Sequence, residues 1–344
     1  MKAVRLHKYG QNPVLEEVPD PKITGPLDVI VRIGGAGLCR TDLHIIEGQW
    51  KEKSHVALPY TLGHENAGWI EEVGSAVEHL EVGDTVIVHP LITCGFCRAC
   101  RAGDDMHCYN NAFPGIDTDG GFAEFLKTGA RSVVKLDPKV RPQDVAALAD
   151  AGLTAYHAIK KAVNLLYPGA FAVVLGAGGL GHIGIQSLKA LTAATVIVVD
   201  KSEASLELAR ECGADLTVLA DGTEISRVKE ITNGNGCEAV IDFVGEGTAL
   251  GDGISMLRQA GSYFVIGYGG MLQIPAIDII SNEINFIGNL VGTYNDLTEL
   301  MTLTAQGRVT LHTQIYPLDA AIDAIADLDA GRLHGRGILV PAHS

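Results

Sequence analysis

Four cysteines lie close together in one short stretch of the chain. They are Cys94, Cys97, Cys100 and Cys108. Four thiolates satisfy a tetrahedral zinc site, and a site closed by four protein ligands is structural because no coordination position stays open. Iron–sulfur clusters use similar cysteine spacings and are the alternative metal centre. The chain has 7 cysteines in all, and an odd count with tight clustering indicates metal binding rather than disulfides.

A glycine-rich turn follows the apolar run Val173–Leu175. Its residues are Gly176-Ala177-Gly178-Gly179-Leu180-Gly181. Gly176 permits the tight turn, Gly178 lets the backbone approach a pyrophosphate, and Gly181 lets helix and strand pack closely. The helix N-terminus that follows offers free amides to the phosphates, and Gly179 and Leu180 belong to the same predicted site. The alternative is a glycine-rich turn in some other α/β protein.

An acidic residue ends the next apolar run, Val196–Val199. Asp200 lies at the distance from the turn where a carboxylate can bind both ribose hydroxyls of NAD. The same carboxylate would repel the 2′-phosphate of NADP, although the neighbouring Lys201 offsets part of that repulsion. Strand, glycine turn, helix and second strand together predict a binding site for NAD.

Hydrophobic periodicity predicts the elements that position these motifs. Residues 1–150 are rich in Gly, Val and turn signals, which indicates a mostly β region with strands at Val29–Ile33, Gly68–Val73 and Thr85–Val88. Helical spacing follows over Asp144–Val163. Short apolar runs then alternate with helical segments, which predicts βαβ units around a parallel sheet. The strands are Ala172–Leu175, Thr195–Val199, Ala239–Phe243 and Tyr263–Ile266, and the helices are Leu180–Leu191, Glu203–Cys212, Leu297–Ala305 and Leu318–Leu328.

Composition excludes several classes of partner. The 344 residues, 47% hydrophobic and 19% charged, suffice for about two globular domains. The net charge of −15 argues against a nucleic-acid partner, because phosphate binding needs a basic surface. No apolar run approaches the roughly 18 residues of a membrane span, and Met1–Gly10 lacks a signal-peptide pattern. We therefore expect a cytoplasmic protein that does not bind membranes.

Landmarks along nearly the whole chain resemble the zinc-dependent alcohol dehydrogenases of the medium-chain dehydrogenase/reductase family. They are Gly37–His44, Leu62–Gly68, Gly152–Tyr156, the cysteine cluster and the glycine turn, in the family's order. Around Asp150 the chain is especially similar to bacterial NAD-dependent secondary-alcohol dehydrogenases. The resemblance implies an α/β fold. A GroES-like β-barrel catalytic domain would comprise residues 1–151 and 291–344, and a doubly wound Rossmann domain residues 152–290, with the active site at the domain junction.

The family's chemistry explains the residue types at the predicted active site. Hydride leaves an alcohol carbon easily only from the alkoxide, and a Zn²⁺ with an open position stabilises that oxyanion and lowers the pKa of the alcohol. Such a zinc needs about three protein ligands, commonly two cysteines and one histidine in alcohol dehydrogenases. The resemblance assigns Cys39 and His64 to two positions, and the third here is Asp150, a harder oxygen donor. Glu65 is a candidate alternative ligand during exchange.

The resemblance also assigns a proton relay and contacts to the ligands. Asp42 would hydrogen-bond the histidine ligand, Thr41 would take the alcohol proton, and His44 would pass it on to solvent. Arg40 and Arg336 match positions that contact the cofactor pyrophosphate, for which the arginine fork is suited. Thr154 matches a residue near the nicotinamide. Trp50 matches an aromatic wall of the substrate pocket, or is an ordinary core residue.

The predicted function is therefore reversible oxidation of primary or secondary alcohols by NAD, with two zinc ions per chain, one catalytic and one structural. The close alternative is a polyol or amino-alcohol dehydrogenase. A zinc- and dinucleotide-binding protein without turnover, a zinc-less quinone reductase and a thiol-redox protein are further alternatives, and the intact set of metal-binding residues disfavours the first two. The Ile-rich segment Ile274–Val291 is a candidate edge for subunit pairing in a homotetramer or dimer, by analogy with the family.

Overall fold

The computed structural model describes residues 1–54 and 56–342. Its strands are β1 (Lys2–Leu6), β2 (Val14–Glu17), β3 (Asp28–Gly37), β4 (Tyr60–Thr61), β5 (Glu65–Val73), β6 (Thr85–Val88), β7 (Phe125–Gly129), β8 (Val133–Lys135), β9 (Phe171–Leu175), β10 (Thr195–Asp200), β11 (Leu216–Leu219), β12 (Cys237–Asp242), β13 (Leu257–Val265), β14 (Asn285–Gly288), β15 (Thr313–Pro317) and β16 (Arg336–Val340). Its α-helices are α1 (Arg40–Glu47), α2 (Arg98–Arg101), α3 (Ala151–Ala162), α4 (Gly181–Leu191), α5 (Glu203–Glu211), α6 (Glu224–Ile231), α7 (Ala249–Met256), α8 (Ala276–Asn282), α9 (Tyr294–Ala305) and α10 (Ala321–Asp329).

The described residues divide into two compact units. The first unit takes them from Met1–Ala151, Thr293–Thr298 and 311–342, and the second comprises Gly152–Gly292 and Glu299–Thr310. Our division of the sequence gave 299–310 to the catalytic domain, whereas hydrogen bonds from Tyr156 to Glu299 and between Gln186 and Thr310 attach this segment to the second unit.

The first unit is built on β-sheets. One sheet has the order β15-β16-β3-β5-β6-β8, with β7 also paired to β3, and a small sheet has the order β2-β1-β4. Pairing in the large sheet is antiparallel except between β15 and β16. The apolar side chains of Val31, Ile33, Phe122 and Leu126 are fully buried in its core. The three strands predicted in this half of the chain are confirmed.

The second unit is a parallel sheet with helices between its strands. The strand order is β11-β10-β9-β12-β13-β14, and every pairing is parallel. Side chains of β9, β10 and β12 are buried in two apolar clusters, as expected for strands covered on both faces. The predicted βαβ arrangement is confirmed. The sequence pattern did not predict the short strands β11 and β14.

The helix predicted over Asp144–Val163 was wrong over residues 144–150. The structure has 3₁₀ turns at Pro142–Asp144 and Ala146–Ala149, and the α-helix begins only at Ala151. Asp150 has non-helical backbone angles, and the amide of Ala151 donates to the carboxylate of Glu65 at 3.1 Å. The apolar spacing continues across this break because the 3₁₀ turns are buried too. Likewise, Leu318–Ala320 is a 3₁₀ turn that precedes α10.

Among the described helices, none combines the length and apolar character needed to cross a membrane.

Phe264, a buried aromatic residue of β13, tests the packing of the second unit. Phe264 is 0% exposed, whereas Phe96 in the cysteine-rich segment is 79% exposed. We expect Phe264→Ala to lower the free energy of unfolding of its unit by about 3–5 kcal/mol, because it removes a large side chain from a packed core. We expect Phe96→Ala to change the free energy of unfolding of the first unit by roughly 0.5 kcal/mol or less, because that side chain is exposed. Denaturant unfolding followed by circular dichroism measures both, and equal losses would contradict this packing.

Candidate metal and dinucleotide sites

Four potential metal ligands meet in the interior of the first unit. Cys39, His64, Glu65 and Asp150 each offer one ligand atom, and these atoms all lie within 4.8 Å of one another. Cys39, His64 and Glu65 are buried, and Asp150 is nearly so. The sequence predicted all four as members of one site, and the fold brings them together.

The register of β3 and β5 explains how the first three of these residues meet. Gly37, the last residue of β3, pairs with Glu65, the first residue of β5. The segment that follows β3 and the segment that precedes β5 therefore lie at the same edge of the sheet. A Cβ at Gly37 would overlap the Glu65 side chain, and only glycine leaves room for that carboxylate. The strand β3 then leads into Cys39, and His64 directly precedes β5.

Asp42 orients both a sulfur ligand and a nitrogen ligand. One of its carboxylate oxygens accepts from the Cys39 amide at 2.8 Å, and the other lies 3.3 Å from His64 Nδ1. A carboxylate at Nδ1 leaves Nε2 of the imidazole for a metal. His64 Nε2 does face the cluster, 3.5 Å from Asp150 Oδ2. Asp42 therefore fixes the direction in which the histidine binds.

The electrostatics of the cluster suit a cation. Burial alone would lower the pKa of His64, but the carboxylates of Asp42 and Asp150 outweigh burial and raise it. Burial is also the main reason that the pKa of Glu65 is raised, against the opposing charge of Arg336. Tetrahedral zinc with bonds of about 2.0–2.3 Å needs ligand atoms about 3.3–3.8 Å apart. His64 Nε2 and Asp150 Oδ2 have that spacing, at 3.5 Å. The donors, one sulfur, one nitrogen and carboxylate oxygens, fit Zn²⁺.

Arg336 lies inside this cluster. It is buried, and its guanidinium donates a short hydrogen bond to the Glu65 carboxylate. We predicted a contact between Arg336 and the cofactor pyrophosphate. In this structure the guanidinium bonds to Glu65, and the pyrophosphate contact stays a prediction.

The clustered cysteines form a second set of metal ligands. The sulfurs of Cys94, Cys97, Cys100 and Cys108 lie within 4.8 Å of one another, and all four are free thiols. The amides of Cys94 and Cys97 point at sulfur, at 3.3 Å from Cys108 and 3.4 Å from Cys94. The amides of Cys100 and Tyr109 lower the pKa of Cys97 to about 6. These contacts favour thiolate, the form that binds metal.

The glycine turn has the geometry of a phosphate-binding turn. Gly176 follows β9 with φ of +85°, a conformation that disfavours other residues. A Cβ at Gly181 would overlap the carbonyl oxygen of Gly176, whereas a Cβ at Gly178 would meet nothing within 4 Å. The backbone at Gly178 is therefore open to a ligand. Asp200, at the end of β10, accepts from the Ala177 amide at 2.8 Å, which places its carboxylate at this turn.

Two family models match the chain. The alcohol dehydrogenase GroES-like domain matches residues 25–138, and the zinc-binding dehydrogenase domain matches residues 179–306. An NAD-dependent alcohol dehydrogenase of Sulfurisphaera tokodaii is 37% identical over 99% of this chain and 100% of its own. The chain belongs to the zinc-type medium-chain alcohol dehydrogenases. The family resemblance and the fold class, a GroES-like domain with an α/β dehydrogenase domain, are confirmed.

Two further members of this family are informative. The crystal structure of an alcohol dehydrogenase from Aeropyrum pernix has a TM-score of 0.97 and 49% identity, covering 99% of this chain and 100% of that one. A D-arabinose 1-dehydrogenase (NADP(+)) of Saccharolobus solfataricus is 36% identical, covering 99% of this chain and 97% of its own. The family thus includes relatives named for an alcohol and for a sugar.

The remaining predicted site residues differ in how far they are buried. On α1, Arg40 is exposed, Thr41 half-buried and His44 buried; Trp50 is half-buried against the core of the first unit. In the second unit, Gly179, Leu180 and Thr154 are half-buried and Lys201 is exposed. Burial alone does not establish what these residues do, so their roles stay predictions.

One aromatic neighbour of the metal cluster was missed by the sequence analysis. The ring of Phe113 packs edge-on against His64, with ring centroids 5.9 Å apart. Phe113 lies in an irregular segment that matches none of the motifs, so nothing in its spacing marked it. Its position gives the histidine ligand an apolar neighbour.

The contact between Gly181 and Gly176 leads to a prediction about dinucleotide binding. We expect Gly181→Ala to weaken NADH binding by about tenfold or more, because the added methyl forces the turn and α4 apart. Gly251→Ala is the matched control, since a Cβ there meets nothing within 4 Å. Titration of NADH fluorescence measures both. Unchanged affinity in the Gly181 variant would show that this turn does not contact the dinucleotide.

Proposed function

We propose that this protein reversibly oxidises primary or secondary alcohols to aldehydes or ketones, with NAD as hydride acceptor and zinc bound by Cys39, His64 and Asp150. The observation that carries the proposal is the buried cluster of sulfur, nitrogen and carboxylate ligands with its histidine oriented by Asp42. Membership of the zinc-type alcohol dehydrogenases supports it.

The metal, the dinucleotide and the protein side chains have different roles in the proposed reaction. Zinc, when bound, supplies Lewis acidity that lowers the pKa of an alcohol, and NAD accepts the hydride. Cys39, His64 and Asp150 would hold the zinc as three protein ligands, as in catalytic zinc sites that also bind substrate. Asp42 keeps the imidazole of His64 in the binding tautomer. Glu65, within the same cluster but bonded to Arg336, serves as an alternative ligand.

The proton relay is proposed for one face of α1. Thr41 and His44 are three residues apart in this helix, so their side chains lie on the same face. Thr41 follows the proposed zinc ligand Cys39 by two residues in the sequence. Thr41 accepts the alcohol proton, and His44, whose ordinary pKa lies near neutrality, passes it on.

The dinucleotide contacts are proposed for the glycine turn and its neighbours. The open backbone at Gly178, together with Gly176, Gly179, Leu180 and Gly181, binds the pyrophosphate. Asp200 binds the adenosine ribose, and its charge favours NAD over NADP. The further proposed contacts are Lys201, Arg40, Thr154 and Arg336.

The substrate pocket borders aromatic side chains of the first unit. Phe113 packs against His64, and we assign Trp50 to the pocket wall. Apolar walls favour alcohols over polyols, because each sugar hydroxyl buried without a partner costs binding energy. The similarity to a D-arabinose 1-dehydrogenase makes a polyhydroxy substrate the second candidate.

A substrate panel decides between these candidates. Formation of NADH at 340 nm is followed with primary, secondary and polyhydric alcohols, before and after removal of zinc by a chelator. We expect turnover with simple alcohols that falls about 100-fold or more on chelation and returns with Zn²⁺. Preference for a sugar would support the second candidate. The absence of turnover in either direction, despite bound zinc and NAD, would contradict the enzymatic function.

We propose a structural zinc at the four cysteines, and hence two zinc ions per chain. The supporting observation is that all four sulfurs converge while amides point at them. Such a site stabilises the segment around it without an open position for substrate.

Metal analysis of matched variants tests this count. We expect two zinc ions per chain in the protein and one in Cys97→Ser/Cys100→Ser, because two of four ligands are lost. Cys212→Ser is the control, since Cys212 is buried in the apolar core away from both clusters, and it retains both ions. Iron with acid-labile sulfide in place of zinc would instead support an iron–sulfur cluster.

The remaining proposals concern organisation. We assign the catalytic domain to residues 1–151 and 291–344 without 299–310, and the Rossmann domain to residues 152–290 together with 299–310. Ile277 and Ile280 on α8 are 66% and 70% exposed, which supports pairing of chains in a homotetramer or dimer through this surface. A monomer in sedimentation velocity would contradict that pairing.

Free thiols at every cysteine support a reducing compartment, and we propose the cytoplasm.

A further inference from the structure

The turn that follows β12 lies directly beside the glycine turn of the second unit. The amide of Phe243 donates to the carbonyl of Leu175, the last residue before Gly176, at 3.1 Å. A Cβ at Gly176 would come within 2.8 Å of Val244 Cγ2. Val244 is partly exposed, so its side chain borders the same space that the glycine turn leaves open.

A buried carboxylate fixes this turn. Asp242 ends β12 and is fully buried, and its Oδ1 accepts from the amides of Val244 at 2.8 Å and Gly245 at 3.0 Å. Gly245 has φ of +63°, as the tight turn requires. The carbonyl of Asp242 also accepts from the amide of Gly267, in the turn after β13. One aspartate thus ties the backbone of two neighbouring turns.

The other oxygen of this carboxylate depends on a tyrosine. The hydroxyl of Tyr263, on β13, donates to Asp242 Oδ2 at 2.8 Å. Tyr263 is fully buried. Burial and the negative charge of Asp242 raise the pKa of Tyr263, so the hydroxyl keeps its proton and remains a donor. An ionised carboxylate in this interior is stable only while its oxygens have donors.

We propose that Tyr263 and Asp242 are positioning residues of the dinucleotide site. The hydroxyl of Tyr263 fixes the carboxylate of Asp242, and that carboxylate fixes Val244 and Gly245 against Gly176. This inference rests on the proposed function, in which the glycine turn binds NAD. Loss of the hydroxyl leaves Asp242 Oδ2 short of a donor, so the carboxylate turns to other partners and Val244 is held less firmly beside the ligand.

The test is binding of ADP-ribose, which contains the adenosine and pyrophosphate of NAD and needs neither zinc nor turnover. Calorimetry compares the protein with Tyr263→Phe, which deletes the hydroxyl alone. We expect the Kd to rise about fivefold, the scale of one ordinary hydrogen bond, because the lost bond acts on the ligand only through Val244 and Gly245. Hydrogen exchange of peptides covering residues 243–250 should become faster in the same variant.

Tyr316→Phe is the matched control. Tyr316 is also buried and also donates its hydroxyl to an aspartate, Asp327, at 2.7 Å, but it belongs to the first unit. The same chemical deletion there should leave the Kd for ADP-ribose unchanged, even where it lowers the melting temperature. An equal Kd in the protein and Tyr263→Phe would overturn the inference, because a purely structural role changes stability alone.

A second variant and the unmodified protein complete the test. If Tyr263→Phe does not fold, Asp242→Asn removes the charge that strengthens both amide hydrogen bonds, and the same rise in Kd is expected; an unchanged Kd would overturn the inference. Failure of the unmodified protein to bind ADP-ribose would contradict the proposed dinucleotide site itself. The failure of the proposed function and that of the positioning role are therefore distinguishable.

Discussion

Negative charge buried around His64 is the constraint on which the rest of the first unit depends. Cys39, Glu65 and Asp150 bring a thiol and two carboxyl groups within 4.8 Å of this imidazole, with Asp42 behind it. Buried charges of one sign are costly unless a cation or a donor compensates them. Arg336 compensates Glu65, and a divalent cation would compensate the others. These buried charges therefore support a metal site, and the surrounding backbone holds the side chains together.

Several local departures from regular structure serve that cluster. The helix α3 starts late, so that Asp150 lies outside it and the first helical amide bonds to Glu65. Glycine stands at position 37 because Glu65 occupies the space of a side chain there. In the second unit, an aspartate again fixes backbone near a site, since Asp242 ties two turns beside Gly176. In both units, buried carboxylates bonded to amides fix the backbone at the proposed sites.

Motifs with fixed chemical spacing made much of this predictable. The four-cysteine pattern, the glycine turn with Asp200, and the alternation of strands and helices each carry their own physical reason in the sequence. The start of α3 was not predictable, because the buried 3₁₀ turns continue the apolar spacing of the helix. Nor were the contacts of Arg336 and Phe113, since both pair residues far apart in the chain. Long-range partners of this kind depend on how distant segments come together in the fold, which local residue spacing does not contain.

The most direct test of the central claim is zinc K-edge X-ray absorption of Cys97→Ser/Cys100→Ser, which retains the Cys39 cluster alone. The account predicts a shell of one sulfur at about 2.3 Å with nitrogen and oxygen ligands at about 2.0–2.2 Å. A variant that binds no zinc, or a shell without sulfur, would contradict the assignment of Cys39, His64 and Asp150 as the catalytic metal site.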